Sequence, residues 1–368
     1  MNPDAQTSAK LLVAGGGTGG HVFPAIAVAR EWLGRGEAGA RKREVVIVGT
    51  QNGLEARLVP EAGLPLETIR VAGLKGIGGM KFFRNLAMLG AGFKDSAAIL
   101  HRHHFSAALG VGGYASGPMM LLAALRGIPT VLFEPNTEPG FTNRVLARFS
   151  TRIATGFEET ARRFGAKAVA TGCPVRKEFF NAAPRAPAAP YRILITGGSR
   201  GALPINQAVM DMLDLLTPKK NQLFVVHQTG ERDYNAVRVA YARHEFNAEV
   251  TPFIGNMAER FAQADLIVCR AGAITVAELA AAGRAAIFIP FGAATDSHQL
   301  RNAQAMQQAG AARVIEQRDL TPQRLADEIF PLLDQPGRIQ EMQQCARALA
   351  RPRAGEDIVD LLEGVMRQ

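Results

Sequence analysis

Residues 10–35 read KLLVAGGGTGGHVFPAIAVAREWLGR, and the order of residue types in this stretch decides the fold class. An apolar run, Lys10–Ala14, enters the turn Gly15-Gly16-Gly17-Thr18-Gly19-Gly20-His21, and a helical pattern follows over Pro24–Arg35. Glycines let a backbone turn tightly and approach a ligand closely. A helix N-terminus behind them offers free N–H groups to an anion. Two further units share this design. Gly110-Val111-Gly112-Gly113-Tyr114-Ala115-Ser116-Gly117-Pro118 follows the run Ala107–Val111, and Gly197-Gly198-Ser199-Arg200-Gly201-Ala202 follows Arg192–Thr196. Any one loop is explained by the preference of tight turns for glycine. Three strand–turn–helix units in one chain are far more specific.

The alternation continues throughout. Strands are predicted at Val45–Gly49, Thr130–Glu134, Arg152–Ala154, Ala168–Thr171, Leu223–Gln228, Val250–Pro252, Leu266–Cys269, Ala285–Ile289 and Ala312–Ile315, with helical patterns such as Ile274–Ala282 between them. Strands separated by helices form βαβ units and parallel sheets, and right-handed crossovers make each half doubly wound. Residues 181–190, NAAPRAPAAP, read as a semi-extended linker with few packing contacts. The expectation is an α/β chain of two Rossmann-like, doubly wound parallel-sheet domains, 1–175 and 176–350, facing across a cleft. Residues 351–368 are expected to form a C-terminal helix packing back on the first. Ligands belong at the carboxyl ends of the strands.

Composition bounds the function. The chain has 368 residues, 47% apolar and 20% charged, which suffices for two cores. Cys173, Cys269 and Cys345 are far apart, against a disulfide framework or a zinc site and in keeping with a reducing cytoplasm. The N-terminus lacks a signal-peptide pattern, and no apolar run reaches the roughly 18 residues of a membrane span. The net charge of +9 falls in the first half: residues 1–176 carry 21 Lys/Arg against 12 Asp/Glu, residues 177–368 carry 21 of each. This suits solubility, or an anionic membrane or phosphate-bearing partner. No nucleic-acid-binding signature accompanies it.

Gly15, Gly17 and Gly20 satisfy G-x-G-x-x-G, but Val45–Gly49 runs into Thr50, Gln51 and Asn52 rather than the acid a nicotinamide cofactor needs. His21 and Val22 stand where a P-loop has Lys and Ser/Thr. In the second half, Ser199 can add a hydroxyl to a diphosphate site or serve as an N-cap. Thr275 and Glu278 lie one helical turn apart and can face one ligand. A carboxylate there can accept two ribose hydroxyls, or it is an acid stabilising a helix's first turn. Asp296 to Asn302 gather polar groups after the next strand.

GGGTGGHVFPA, GVGGYASGP, EPN…PGFTN, TGCPVR, TGGSRGA, CRAGAITVAELAAAG and IPFGAATDSHQLRNA follow in order from about residue 11 to 316. Together they resemble the undecaprenyldiphospho-muramoylpentapeptide β-N-acetylglucosaminyltransferases. The resemblance implies a GT-B fold with an acceptor- and membrane-facing first domain and a UDP-sugar-binding second domain. It implies inverting transfer of N-acetylglucosamine from UDP-N-acetylglucosamine to the C4 hydroxyl of a polyprenyl-diphosphate-linked muramoyl pentapeptide. It also implies a peripheral location on the cytoplasmic face of the cell membrane. Implied donor contacts are Thr18, Gly19, Gly20, Asn136, Arg176, Ser199, Ile254, Ala273, Ile274, Thr275, Val276, Ala277, Glu278 and Gln299. Ile254 would set its backbone against the uracil, and Glu278 would position the ribose. Gly16, Gly17, Gly112, Gly113 and Tyr114 are assigned to the acceptor diphosphate, and His21 is the candidate base, with a structural loop cap as the other reading. Arg200, Phe133 and Pro135 depart from the family's commoner Gln, His and Gln.

No Asp-x-Asp occurs, so no metal and no cofactor are expected; a helix N-terminus with Ser199 and Arg176 would stabilise the leaving diphosphate. Other readings are a glycosyl diacylglycerol synthase, a UDP-sugar 2-epimerase, or a non-catalytic nucleotide-sugar-binding regulator. Phe82, Phe83 and Leu86, recurring at helical spacing and flanked by Lys81 and Arg84, read as a membrane contact or as an ordinary core-facing helix.

Overall fold

The computed structural model describes residues 8–37, 42–72, 80–183, 186–292 and 298–367, without the side chains of residues 80–87. The chain divides into two compact units, Met1–Val175 with Arg353–Gln368, and Arg176–Pro352. In the first unit β1 (Ala9–Gly15), β2 (Arg43–Gly49), β3 (Leu66–Thr68), β4 (Ala107–Gly112), β5 (Thr130–Glu134), β6 (Arg152–Thr155) and β7 (Ala168–Ala170) form one sheet. Its order is β3-β2-β1-β4-β5-β6-β7. In the second, β8 (Tyr191–Thr196), β9 (Leu223–Gln228), β10 (Ala248–Thr251), β11 (Leu266–Cys269), β12 (Ala285–Phe288) and β13 (Ala312–Val314) have the order β10-β9-β8-β11-β12-β13. Every pairing is parallel. The expected pair of doubly wound sheets is therefore present.

The central strands are apolar runs because helices cover both sheet faces. Leu12 of β1, for example, pairs with Val46 and Ala108, and all three are buried. In each unit the strand order reverses beside the first strand, between β1 and β4 and between β8 and β11. Ligands bind at such switch points, at the carboxyl ends of the strands. The three glycine loops follow β1, β4 and β8, and the Arg270–Glu278 segment follows β11. All four motifs thus leave the strands that flank the two switch points.

Two local readings change. Leu66–Thr68 is a short edge strand that no apolar pattern announces. The first helix spans Gly19–Glu37, so Pro24 lies in its second turn rather than at its start. The Ala/Pro segment is mostly exposed along its described residues and is held at its start, where Arg347 donates to Ala182 O at 3.1 Å and the buried Arg284 to Ala183 O at 2.9 Å. Helix Ala354–Met366 packs against helix Gly19–Glu37, burying Ile358, Val359, Leu362 and Val365. Arg35 binds Asp360 at 2.6 Å and Glu363 at 3.2 Å, and Arg43 reaches Glu363 at 2.8 Å.

Candidate active site

The first and second glycine loops interlock. Gly16 N donates to Gly112 O at 3.3 Å. Gly113 has φ +84°, and a Cβ there would stand 2.3 Å from Gly16 O, so only glycine fits. Gly17 N donates to the buried carboxylate of Glu55 at 2.6 Å. The N–H groups of Gly16 and Gly17, both expected at the acceptor diphosphate, are thus engaged within the unit. The donors that face no intrahelical acceptor come next, at the start of helix Gly19–Glu37. Thr18 O there accepts from His21 N and Val22 N, both at 3.1 Å. Thr18, Gly19 and Gly20 are thus the backbone of this loop that an anion can meet. Tyr114, in the second loop, is exposed.

His21 sits in the first turn of that helix, with Nδ1 3.2 Å from Gly16 O and 3.3 Å from Thr18 Oγ1. A carbonyl oxygen can only accept, so a hydrogen bond from the ring to Gly16 O requires the proton on Nδ1 and leaves Nε2 its lone pair. Gly112 (φ +93°) gives the ring its space, since a Cβ there would lie 2.8 Å from both Nε2 and Cδ2. Burial pushes the imidazole pKa below its ordinary 6.5, opposed by the charge of Glu134, the Gly16 carbonyl and the charge of Glu55. At neutral pH the ring is a neutral base.

Glu134, at the end of β5, is buried and accepts four hydrogen bonds. Asn136 N and Nδ2 reach one oxygen at 3.0 and 3.1 Å, and Gly140 N and Asn143 Nδ2 reach the other, both at 2.9 Å. The expected donor contact Asn136 is therefore fixed by Glu134 in the free protein. Burial, and then Glu134, push the thiol of Cys173 far up, so it is inert.

In the second unit the third loop closes as Gly201 N donates to Gly198 O at 2.9 Å. It nests on the next turn, because a Cβ on Gly201 (φ +72°) would stand 1.8 Å from Thr229 O. Ser199 and Arg200 are exposed on it. Ser199 is not the N-cap: helix Leu203–Leu216 has Ala202 there. The buried Gln228 ties three segments together. Its Nε2 donates to Gly198 O at 2.7 Å and Thr196 Oγ1 at 3.1 Å, while its Oε1 accepts from Ile254 N at 2.8 Å. With its N–H so engaged, Ile254 has its carbonyl left to offer a base.

Helix Ala273–Ala282 is preceded by Gly272 as N-cap. Ala273, Ile274 and Val276 bury their side chains, so they can meet a ligand only through the backbone. Val276 N already donates to Gly272 O at 2.9 Å, leaving Ala273, Ile274 and Thr275 as the open donors of the first turn. Ala277 lies beyond that turn. Glu278 is in the second turn, which removes the reading of it as a first-turn acid. It is 8% exposed and lies 3.4 Å from Arg176 Nη2. Burial raises its pKa to about 7, against the pull of Arg176. Gln299 accepts from Phe291 N at 2.9 Å. Arg270, whose pKa burial lowers to about 10, donates to Ile289 O and Pro290 O and stacks over Phe291. Asp296 and Ser297 lie outside the described residues.

The backbone of Lys81, Phe82, Phe83, Arg84 and Leu86 is in helix Met80–Arg102, but their side chains lie outside the described residues. No helix among the described residues is long and apolar enough to cross a membrane. Sequence reasoning missed another apolar surface in the same unit. Leu125, Phe141 and Val145 are exposed on the packed helices Ser116–Leu125 and Phe141–Leu146, and Phe149 in the turn that follows, with Arg126, Arg144 and Arg148 exposed next to them in sequence. The spacing 141, 145, 149 was its signal.

The model of the glycosyltransferase family 28 N-terminal domain matches residues 11–155, and that of the family's C-terminal domain matches residues 192–358. A relative from Myxococcus xanthus is 44% identical, over 98% of this chain and 94% of its own length. One from Pelobacter propionicus is 42% identical, over 95% and 98%. Both are named UDP-N-acetylglucosamine--N-acetylmuramyl-(pentapeptide) pyrophosphoryl-undecaprenol N-acetylglucosamine transferase. The solved MurG of Acinetobacter baumannii is similar with a TM-score of 0.78 and 34% identity, covering 97% of this chain and 99% of that one. A Neisseria meningitidis UDP-GlcNAc 2-epimerase bound to UDP-GlcNAc reaches 0.68 at 13% identity, over 97% and 100%, a likeness of fold alone. With one domain model over most of the first sheet, the other over the second, and relatives of this identity over almost the whole length, the chain belongs to glycosyltransferase family 28.

Proposed function

We propose that this protein transfers N-acetylglucosamine from UDP-N-acetylglucosamine to the C4 hydroxyl of a polyprenyl-diphosphate-linked muramoyl pentapeptide. The observation that carries the reading is the full-length identity to relatives named for this transfer. The chemistry of the site supports it. His21 Nε2 takes the proton of the acceptor hydroxyl as that oxygen bonds to the anomeric carbon. The bond from that carbon to the β-phosphate oxygen breaks, its electron pair leaves with UDP, and the configuration inverts. A general base contributes about 10²–10⁴-fold to such a step.

In the second unit, Glu278 accepts the ribose hydroxyls and the Ile254 carbonyl accepts from the uracil. The diphosphate meets Ser199, Arg176 and the first-turn amides Ala273–Thr275, which stabilise the leaving charge. In the first unit, Thr18, Gly19 and Gly20 offer backbone donors, and Gly112 and Gly113 shape the approach to His21. Gln299 holds the loop after β12, and Asn136 the loop after β5.

The basic first unit suits a diphosphate-bearing acceptor at an anionic surface. The exposed Leu125, Phe141, Val145 and Phe149, flanked by arginines, provide an apolar face for that surface beside the helix that carries Phe82 and Phe83. The test is transfer of labelled sugar from UDP-N-acetylglucosamine to a lipid-diphosphate muramoyl acceptor. Release of UDP and free sugar without a disaccharide product, or formation of a 2-epimer, would refute the reading.

A further inference from the structure

A carboxylate lies directly behind the first glycine loop. Glu55 Oε2 accepts from Gly17 N at 2.6 Å, and its Oε1 accepts from Thr50 N and Thr50 Oγ1, both at 2.8 Å. Glu55 is 1% exposed. Glycines make the room it occupies. A Cβ on Gly16 would stand 2.3 Å from its Cδ, one on Gly53 2.1 Å from its Oε2, and one on Gly49 2.4 Å from its Cγ.

The amide that donates to Glu55 belongs to the Gly16–Gly17 peptide. The carbonyl of that same peptide, Gly16 O, faces His21 Nδ1 at 3.2 Å. One planar unit therefore joins the two side chains, with its N–H on the carboxylate and its C=O on the imidazole. Hydrogen bonds in such a chain polarise one another. An anion pulling on the N–H makes the carbonyl a stronger acceptor and holds the proton on Nδ1. A Ser-His-Asp triad uses a carboxylate for the same purpose by direct contact.

We propose that Glu55 is a positioning residue for His21, acting through the Gly16–Gly17 peptide to fix the tautomer that leaves Nε2 basic. The catalytic consequence rests on His21 being the base. The alternative is that Glu55 only staples the loop.

Nitrogen-15 NMR of histidine-labelled full-length protein separates the two. The chain has seven histidines, and the His21 signal is identified by its absence in His21→Ala. The expected wild-type spectrum is the Nδ1–H tautomer, and Glu55→Gln is expected to give a mixture. In transfer assays that variant should lose kcat by roughly ten-fold or more, a part of the whole effect of a base, with the donor KM within about two-fold. Glu55 and Glu134 are the anions acting on His21. Losing one of them should also move the acid limb of the rate profile to lower pH, while the tautomer signal separates a positioning carboxylate from a mere staple.

An Nε2–H tautomer in the wild type would overturn the proposal, as would unchanged kcat and an unmoved acid limb in folded Glu55→Gln. The wild-type spectrum decides even if that variant does not fold. Glu55→Asp, which keeps the charge but withdraws the oxygen by one methylene, is then the second variant, expected to lose kcat with donor KM unchanged. Full turnover by His21→Ala would instead remove the base reading and leave the tautomer result standing.

Discussion

Replacing Glu278 by glutamine should weaken UDP binding and abolish its pH dependence. The carboxyl is buried, 3.4 Å from Arg176, and half-ionised only near pH 7 because burial raises its pKa to about that value. Charged hydrogen bonds of the kind a ribose diol makes to a carboxylate contribute about 1.5–3 kcal/mol. At about 1.4 kcal/mol per decade, their loss costs about ten- to 150-fold in Kd. The ionised form is the better acceptor, so UDP binding to the wild type at pH 6 should release a proton. Affinity should rise as the pH is raised through 7. Titration calorimetry in two buffers of different ionisation enthalpy reads both quantities. Stability has the opposite sign. A raised acid pKa favours the folded state at low pH, and that contribution disappears as the pH rises through about 7. Glu278→Gln should lack this component in thermal melts between pH 5 and 8. Equal Kd for UDP in wild type and folded variant, with no proton released by either, would refute the assignment.

His21→Ala should lower kcat about 10²–10⁴-fold while UDP affinity is retained, as steady-state kinetics and calorimetry would show; wild-type kcat should fall with acidity only below pH 6.5, because the imidazole pKa is lowered. Gly112→Ala sets a methyl 2.8 Å from the His21 ring at a φ that disfavours side chains, and should reduce kcat at least about ten-fold in a folded protein. Chelation with EDTA should leave transfer rates unchanged, whereas loss and restoration by a divalent ion would show a metal requirement. Phe82→Ser/Phe83→Ser and Leu125→Ser/Phe141→Ser should each reduce co-sedimentation with anionic liposomes, more at low salt; undiminished binding by both folded variants would remove the apolar faces from membrane docking.

The sheets were legible because central parallel strands are continuous apolar runs, and three of them end in glycine. Ala9–Gly15 and Leu223–Gln228 announce themselves in this way, while Leu66–Thr68 does not: its three residues are all half-buried at a sheet edge. The helical pattern in the sequence begins at Pro24, yet glycines and histidine supply the first turn here. Motif residues such as His21, Ser199 and Glu278 could be named from local order. Their partners could not. Glu55 is 38 positions from Gly17, and Gln228 is 26 from Ile254. Nothing local distinguishes either from a surface residue, and only the packing of loops after neighbouring strands brings them together. The same limit hides how the amides of Gly16 and Gly17 are engaged, since their acceptors are remote in sequence.

The return of helix Ala354–Met366 to the first unit sets an order of events in the cell. A chain made from its N-terminus completes most of the first sheet early, but the helix that covers Gly19–Glu37 leaves the ribosome only after the whole of Arg176–Pro352. Until then the surface that receives Ile358 and Leu362 is open, and Arg35 and Arg43 wait for Asp360 and Glu363. A stop codon shortly before residue 354 would therefore damage the unit whose sheet is encoded before residue 176. A fragment ending at Val175 would also carry an unfilled berth rather than a finished domain.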